Sequence, residues 1–364
     1  MILLYTFLAA LAGYYICSVQ AESRGRGRDF VEDSAYQKRV LLGPYVVLCI
    51  WLVLLVGLRS DSTGIDTWNY VNNYNQCVSY PNWDAFRSFL ESQNYRECLY
   101  WMSLYGMAKL GVPAWGTRFV YGVIAVVPVL VFIYRRSESL LMSIFFYLSL
   151  SYYAFAFTGI RQSVAIGLIV LAYLQYEKRR WDLYLLFSVA AIFFHITAAI
   201  FLPVILLRWV RMNEITASAC VLGGGALYLF RGPIVDWLER IAEKDYSADI
   251  GGGNLYVLFL IGTAVLLWIF QWRWIKSEED QLLFWLACMA AVSYAVVKVS
   301  PVYMRATYYY QIFLLASLPN MLNSIPDGLT RRFGKLCYVA AGIYFFFSMV
   351  AFSYRITPYE WVLW

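Results

Sequence analysis

The sequence consists mostly of long apolar runs separated by short segments rich in arginine and lysine. Several of these runs have the roughly 17–25 residues that a helix needs to cross a bilayer. Hydrophobic residues make up 61% of the chain and charged residues 14%, whereas a soluble domain has about 25% charged residues. The chain is therefore predicted to be an all-α polytopic membrane protein.

The length of the chain allows about twelve transmembrane helices in a single integral-membrane domain over residues 1–364. The run 182–210 is too long for one span and is predicted to form two short spans that meet near His195. The segment 98–112 is short and is followed by Pro113, so we favour a re-entrant or interfacial helix over a full span. External loops are predicted at 59–97 and 231–253, the second with an amphipathic helix at 234–241. The other predicted spans are 2–19, 41–58, 117–134, 139–157, 162–176, 215–230, 254–271, 281–297, 305–322 and 334–352.

The positive-inside rule orients these spans, because short loops rich in lysine and arginine stay in the cytoplasm. The net charge of +6 is explained by these loops, so no nucleic-acid partner is predicted. In this orientation a set of strongly polar residues lies at the outer ends of the apolar runs. A charged residue beside a bilayer is costly and is a candidate for a functional site. The set indicates a site for an anionic, lipid-embedded substrate, and its members are Arg59, Asp66, Arg161, His195 and Arg305.

The first polar motif covers residues 57–70 and follows the predicted span 41–58. Arg59 leaves this span at the level of the headgroup phosphates, and Gly64 permits a tight turn. Asp66 and Tyr70 are four residues apart, so they lie on one face of a helix.

The second motif covers residues 157–165 and heads the predicted span 162–176. Thr158 is predicted to cap this helix. Arg161 and Gln162 then fall in its first turn, where the helix terminus also favours an anion.

The third motif contains His195, which is the only histidine of the chain and lies within an apolar run. An imidazole titrates near neutral pH and is suited to proton transfer. In a further outer segment after Pro301, Tyr303 lies just before the predicted span 305–322, and Arg305 begins this span.

The sequence has no metal-binding motif and leaves the question of a disulfide open. There is no Cys-x-x-Cys motif, no Cys/His metal spacing and no Asp-x-Asp pair in an external loop. No metal or other cofactor is therefore predicted. Cys77 and Cys98 both fall in the first external segment, and the pattern leaves open whether they are free thiols or form a disulfide.

Three motifs occur in a characteristic order along the chain: Gly-Leu-Arg with Gly-x-Asp-x-x-x-Tyr, then Arg-Gln-x-x-Ala, then Phe-His-x-Thr-Ala. In this order the chain resembles the EpsG-like group of Wzy-type polysaccharide polymerases. It departs from that pattern at Thr197, where serine is most often expected; both residues have a small hydroxyl.

The resemblance implies a metal-independent glycosyltransferase in the bacterial cytoplasmic membrane, with a GT-C-like fold similar to that of the O-antigen ligases. Its substrates would be two undecaprenyl-diphosphate-linked glycans bound on the periplasmic side. The growing chain would move to the non-reducing end of a single lipid-linked repeat unit, and undecaprenyl diphosphate would leave. The resemblance also implies a partner protein that regulates chain length. An O-antigen-type ligase and a flippase or transporter of lipid-linked oligosaccharide stay open as alternatives.

This chemistry assigns roles to the polar residues. Guanidinium groups match the oxygens of a departing diphosphate, which assigns Arg161 and Arg305 to it, with Arg59 as a third contact. An acceptor hydroxyl needs a base as it attacks. His195 is preferred as the base and Asp66 as the residue that orients the acceptor, although the reverse order stays open. The residues predicted to contact the sugar or acceptor are Tyr70, Gln162 and Tyr303.

Overall fold

In the computed structural model, the described residues are 34–210, 254–297, 305–326, 328–351, 354–356 and 359–362, with isolated positions at 6 and between 213 and 233. Their regular elements are all helical. The predicted spans 2–19 and 215–230 and the external segment 231–253 lie outside the described residues apart from isolated positions, and Tyr303 lies outside them as well. The α-helices are α1 Ser34–Gly57, α2 Thr67–Ser79, α3 Trp83–Ser92, α4 Cys98–Lys109, α5 Ala114–Arg136, α6 Leu140–Ser149, α7 Tyr152–Phe155, α8 Ile160–Tyr176, α9 Trp181–Phe194, α10 Asn254–Ile269, α11 Gln271–Trp274, α12 Glu278–Val297, α13 Tyr308–Gln311, α14 Leu314–Ser324 and α15 Gly328–Phe345.

Two less regular helices complete the set. A 3₁₀-helix, Ile196–Trp209, follows α9, and a five-residue π-helix, Phe346–Val350, extends α15. The chain divides into two compact units, one formed by Met1–Ala199 with Arg332–Trp364 and the other by Ile200–Arg331.

In the first unit, α8 is the central helix and packs against α9 and α5, and α5 packs in turn against α1. In the same unit, α4 packs against α2 and α9. In the second unit, α12 packs against α10 and α14. A buried hydrogen bond of 2.8 Å joins the hydroxyl of Tyr256 to the side-chain oxygen of Gln311 in this unit.

The helix breaks follow the sequence at some positions and depart from it at others. The run 182–210 breaks at His195, as predicted, because α9 ends at Phe194. The predicted span 139–157 is interrupted, since Ser151 has a left-handed backbone (φ 68°) between α6 and α7. The predicted span 305–322 is likewise divided, into α13 and α14.

The segment 59–97, predicted to be an external loop, is folded into two helices, α2 and α3. Helix α4 covers most of the segment 98–112 that was predicted to be a short re-entrant or interfacial helix. Cys77 and Cys98 are both free thiols, which answers the question that the sequence left open.

Two helices among the described residues are long and apolar enough to cross a membrane, Ala114–Arg136 and Gly328–Val350. Shorter apolar helices include Leu41–Gly57, Ile160–Tyr176 and Asn254–Ile269. The number of about twelve spans therefore stays a prediction.

Several helices expose apolar side chains on one side. On α1 these are Leu42, Val46, Val47 and Ile50, and α10 exposes a similar set. Contiguous apolar surface of this kind is unusual on a soluble monomer and is typical of a surface that contacts a membrane or a partner.

Helices α8 and α5 approach each other closely at Gly167. A Cβ atom at this position would lie 2.0 Å from the carbonyl oxygen of Ile124. Backbone cannot yield as a flexible side chain can, so a methyl group here must push the two helices apart.

Gly167→Ala is therefore expected to destabilise the protein by about 1–3 kcal/mol, the usual cost of overpacking. The measurement is the midpoint of thermal unfolding of the purified protein in detergent. The matched control is Gly262→Ala on α10, where nothing lies within 4 Å of the added Cβ. Equal midpoints for the two variants would contradict this close approach.

Candidate active site

The carboxylate of Glu97 joins two residues that the sequence singled out. Its Oε1 lies 2.5 Å from Nδ1 of His195, and its Oε2 accepts a hydrogen bond from Nη1 of Arg161. Glu97 is nearly buried, whereas the side chains of Arg161 and His195 are 33% and 23% exposed. The three residues thus form a polar cluster, named here the Glu97 cluster, whose imidazole and guanidinium are accessible from outside.

An unusual turn places Glu97 in this cluster. Asn94, Tyr95 and Glu97 all have positive φ angles, of 50°, 53° and 52°. Such angles are uncommon for residues other than glycine and are found often at functional sites. Glu97 is also the residue immediately before α4, so the turn directs its side chain towards α8 and α9.

Arg161 lies in the first turn of α8, as predicted, but the cap of this helix differs from the prediction. The cap residue is Gly159 and no side chain caps the helix, so the prediction of Thr158 as the cap was wrong. Thr158 is instead buried.

Two tyrosines hold the guanidinium of Arg161. Its Cζ lies 5.3 Å from the centre of the Tyr100 ring, a distance at which a cation is attracted to an aromatic face. Its N–H groups also donate to the hydroxyl of Tyr70. Tyr100 is buried, and its own hydroxyl accepts a hydrogen bond of 3.1 Å from Nδ2 of Asn73.

His195 is held by its position at the end of α9. Its backbone N–H donates to the carbonyl of Ala191 at 2.8 Å, and the 3₁₀-helix begins at the next residue. Among the described residues, the imidazole has a hydrogen-bond partner only at Nδ1, which faces Glu97. Nε2 is therefore available to a substrate.

The ionised form of Glu97 is favoured by its partners. Burial by itself would raise the pKa of the Glu97 carboxyl, but the hydrogen bond with His195 and the charge of Arg161 together lower this pKa below its usual value. A carboxyl with a lowered pKa stabilises the fold above its unfolded pKa, and the contribution is lost as the pH falls through the lowered value. The cluster is thus intact around neutral pH.

Asp66 is linked to the cluster only through Tyr70 among the described residues. It precedes α2, and the backbone N–H of Tyr70 lies 3.4 Å from its carbonyl oxygen, which places the two residues one helical turn apart as predicted. Its carboxylate interacts electrostatically with Tyr70, the residue that contacts Arg161. Its side chain does not cap α2.

Arg59 does not share this exposed position. It is completely buried, and its guanidinium donates to the carbonyls of Val56 and, at 3.2 Å, Phe157. The prediction that Arg59 touches a diphosphate is therefore not supported by its position. The Phe157 carbonyl also accepts a bond of 3.3 Å from the Thr67 hydroxyl, so Arg59 joins the first sequence motif to the second.

The turn at Gly64 completes this junction. Gly64 has a φ of 98°, and a Cβ there would lie 2.2 Å from the Phe157 carbonyl oxygen. The tight turn predicted at Gly64 is thus confirmed, and the structure adds that a larger residue would not fit there. The C-terminal segment covers the same turn, because the backbone N–H of Gly64 donates to Arg355 and that of Ser60 to Glu360, at 3.0 and 2.8 Å.

The remaining predicted site residues are distributed over both units. Gln162 is buried next to Arg161 in α8. Arg305 is exposed and belongs to the second unit. Among the described residues, no group of three or more histidine, cysteine, aspartate or glutamate side chains could hold a metal ion.

Glu97 was not among the residues predicted from the sequence. The signal was present, since Glu97 stands immediately before the apolar segment 98–112, just as the selected residues stand at the ends of apolar runs. An acidic residue at the end of a loop that already holds several charges does not stand out without its partners.

The fold and the site together have the features of an integral-membrane enzyme, namely helices with exposed apolar surface and an accessible imidazole held by a carboxylate beside a guanidinium. The family model of the EpsG family matches residues 44–361, so the chain belongs to the EpsG family. This is a Wzy-like polysaccharide polymerase family, which confirms the resemblance noted in the sequence. Comparisons with curated proteins and with solved structures return no match. As a member of this family, the chain is a membrane protein of polysaccharide biosynthesis whose substrate is a lipid-linked saccharide.

Proposed function

We propose that this protein polymerises oligosaccharide repeat units carried on undecaprenyl diphosphate, at the periplasmic face of the cytoplasmic membrane. The growing glycan leaves its lipid carrier and is joined to the non-reducing end of a second lipid-linked repeat unit. The observation that carries the proposal is the Glu97 cluster, in which one carboxylate holds an imidazole and a guanidinium side by side.

The reaction requires the two kinds of group that this cluster brings together. A hydroxyl of the acceptor sugar attacks the anomeric carbon of the donor, and its proton passes to a base. The bond from that carbon to the phosphate oxygen breaks, and its electron pair stays on the departing diphosphate. His195 has a free Nε2 to accept the proton, while Arg161 supplies positive charge to the diphosphate.

Further residues are given roles in this proposal. Arg305 is proposed as a second cation for the diphosphate, and Tyr70, Gln162 and Tyr303 as contacts to sugar or acceptor. Because Arg59 is completely buried, we assign it a positioning role instead of a direct contact. It holds the Phe157 carbonyl, four residues before Arg161, and so fixes the start of α8. No step of this mechanism uses a metal ion.

The function is tested with purified protein and a synthetic polyprenyl-diphosphate-linked repeat unit, with the products separated by size. A ladder of products that differ by one repeat unit supports the proposal. A single addition to another acceptor would identify a ligase, and translocation in vesicles without any new glycosidic bond would identify a transporter. Either of these outcomes would overturn the proposed polymerase.

Asp66 is expected to orient the acceptor, so Asp66→Asn should lower kcat/KM for the acceptor roughly 10- to 100-fold. This loss corresponds to one hydrogen bond to a charged group. The loss should appear mainly as a higher KM for the acceptor, measured at saturating donor. Asp84→Asn is the matched control, since Asp84 is an exposed carboxylate in the same external segment. A loss in kcat as large as that of a His195 variant would instead identify Asp66 as the base.

A further inference from the structure

A single carboxylate in this site contacts an imidazole and a guanidinium, which the proposed reaction uses for different purposes. We propose that Glu97 is a positioning residue: it fixes His195 with the proton on Nδ1, and it holds Arg161 until the diphosphate of the donor takes its place. This inference rests on the proposed function, and it adds an order of events to that function. Binding of the donor releases Glu97 to act on His195 alone.

The first part of the inference follows from hydrogen-bond chemistry. An ionised carboxylate can only accept hydrogen bonds. Its contact of 2.5 Å with Nδ1 of His195 therefore requires the proton of the neutral imidazole to lie on Nδ1. The lone pair then lies on Nε2, which has no hydrogen-bond partner among the described residues. Without Glu97, nothing in the described surroundings selects this tautomer over the other.

The second part follows from the exposure of the partners. Glu97 is 8% exposed, but Arg161 is 33% exposed, so an incoming anion meets the guanidinium before it meets the carboxylate. A diphosphate carries more negative charge than one carboxylate and offers oxygens in the geometry that guanidinium binds in pairs. The donor therefore competes directly with Glu97 for the same cation.

Arg161 does not have to leave its position in order to exchange partners. Its guanidinium stays over the ring of Tyr100 and in contact with the hydroxyl of Tyr70. A guanidinium has five N–H donors, and these two contacts leave most of them free to turn from carboxylate to phosphate. The two tyrosines thus define the pivot of the exchange.

The exchange of partners at Arg161 changes the electrostatic interaction between Glu97 and His195. While Arg161 is bound, part of the charge of the carboxylate is neutralised by the guanidinium. Once the diphosphate binds Arg161, the carboxylate interacts mainly with the imidazole and stabilises its protonated form more strongly. The base thus becomes stronger only when a donor is present, which protects the enzyme from unproductive proton transfer. Among the described residues, Arg96 also acts electrostatically on Glu97, Tyr70 and Tyr100 interact with Arg161, and Asp66 interacts with Tyr70.

The chain has one histidine, so histidine labelled with ¹³C and ¹⁵N gives a single imidazole signal from the full-length protein in nanodiscs. The probe is farnesyl diphosphate, a soluble prenyl diphosphate. In the wild type we expect the proton on Nδ1 and a midpoint of imidazole protonation that moves to higher pH when the probe is added. In Glu97→Gln we expect mixed tautomers, a lower midpoint and a smaller response to the probe.

Two further variants separate a positioning role from a folding defect. Glu97→Asp keeps the carboxylate, so it should recover part of the response to the probe. Glu91→Gln is the matched control in the same external segment, because Glu91 is a half-exposed partner of Arg87; it should behave as the wild type. In the polymerisation assay, Glu97→Gln should lower kcat by roughly 10²- to 10⁴-fold, without a higher KM for the donor.

An unchanged response to farnesyl diphosphate in Glu97→Gln would overturn the inference, as would an imidazole in the wild type with its proton on Nε2. These NMR measurements require no polymerisation. A failed product ladder with the expected NMR response would refute the proposed function alone. A product ladder without the NMR response would refute the role of Glu97 alone.

Discussion

Replacement of Arg161 by alanine is expected to stop visible chain growth, with turnover lowered about 10²- to 10³-fold. This is the usual loss when one group that stabilises developing charge is removed from an enclosed site. The guanidinium is held over Tyr100 by an aromatic contact and beside Glu97 by an ion pair, so its position is set before the substrate arrives. The measurement is the rate of repeat-unit addition at saturating acceptor.

The choice of replacement makes the test of Arg161 sharper. Arg161→Lys keeps the positive charge but loses the planar fork of donors, so it should recover only part of the rate. Arg87→Ala is the matched control, since Arg87 is an exposed arginine that also pairs with a glutamate. Normal polymerisation by Arg161→Ala, with the protein correctly inserted, would remove Arg161 from the mechanism.

Replacement of His195 by alanine is expected to lower turnover by roughly 10²- to 10⁴-fold, the range for loss of a general base. The reason is that Glu97 fixes Nδ1 of the imidazole, whereas Nε2 has no hydrogen-bond partner in the described part of the chain. The acceptor would then have to attack without losing its proton to the protein. Single-turnover rates with preformed donor complex measure this step directly.

A second variant separates chemistry from structure at His195. His195→Asn has an amide N–H that can replace the donor at Nδ1, so it should keep the contact with Glu97 and the unfolding midpoint of the wild type. It has no atom that replaces Nε2, so it should be as inactive as His195→Ala. Recovery of part of the activity of His195→Ala by added imidazole would support the assignment further. Activity in His195→Asn would show that the base lies elsewhere.

The sequence led to a large part of this site because polar residues at the ends of apolar runs are rare and costly. His195 marked the break in the run 182–210, and α9 does end there. Arg161 was predicted to lie in the first turn of its helix and Gly64 in a tight turn, and both predictions are confirmed. These are local properties, since each depends on residues within a few positions in the chain.

Other expectations failed where distant parts of the chain meet. Arg59 was predicted to lie at the level of the headgroup phosphates, but helix packing buries it against the carbonyl of Phe157, which is 98 residues away. Thr158 does not cap α8, because the turn that precedes this helix ends at Gly159. The predicted span 139–157 is interrupted at Ser151, where the apolar pattern continues without a signal.

Sequence alone determined the class of the protein, the family motifs and the positions of His195 and Arg161 at helix ends. The reason is that an apolar run and its polar ends depend only on residues that are close together in the chain. Only the tertiary structure decided which charges meet. Glu97 lies 64 residues from Arg161 and 98 from His195. It reaches both through the packing of α4 against α9 and the packing of α9 against α8. An acidic residue in a loop becomes a partner of base and cation only when packing removes it from water and leaves these two as its neighbours.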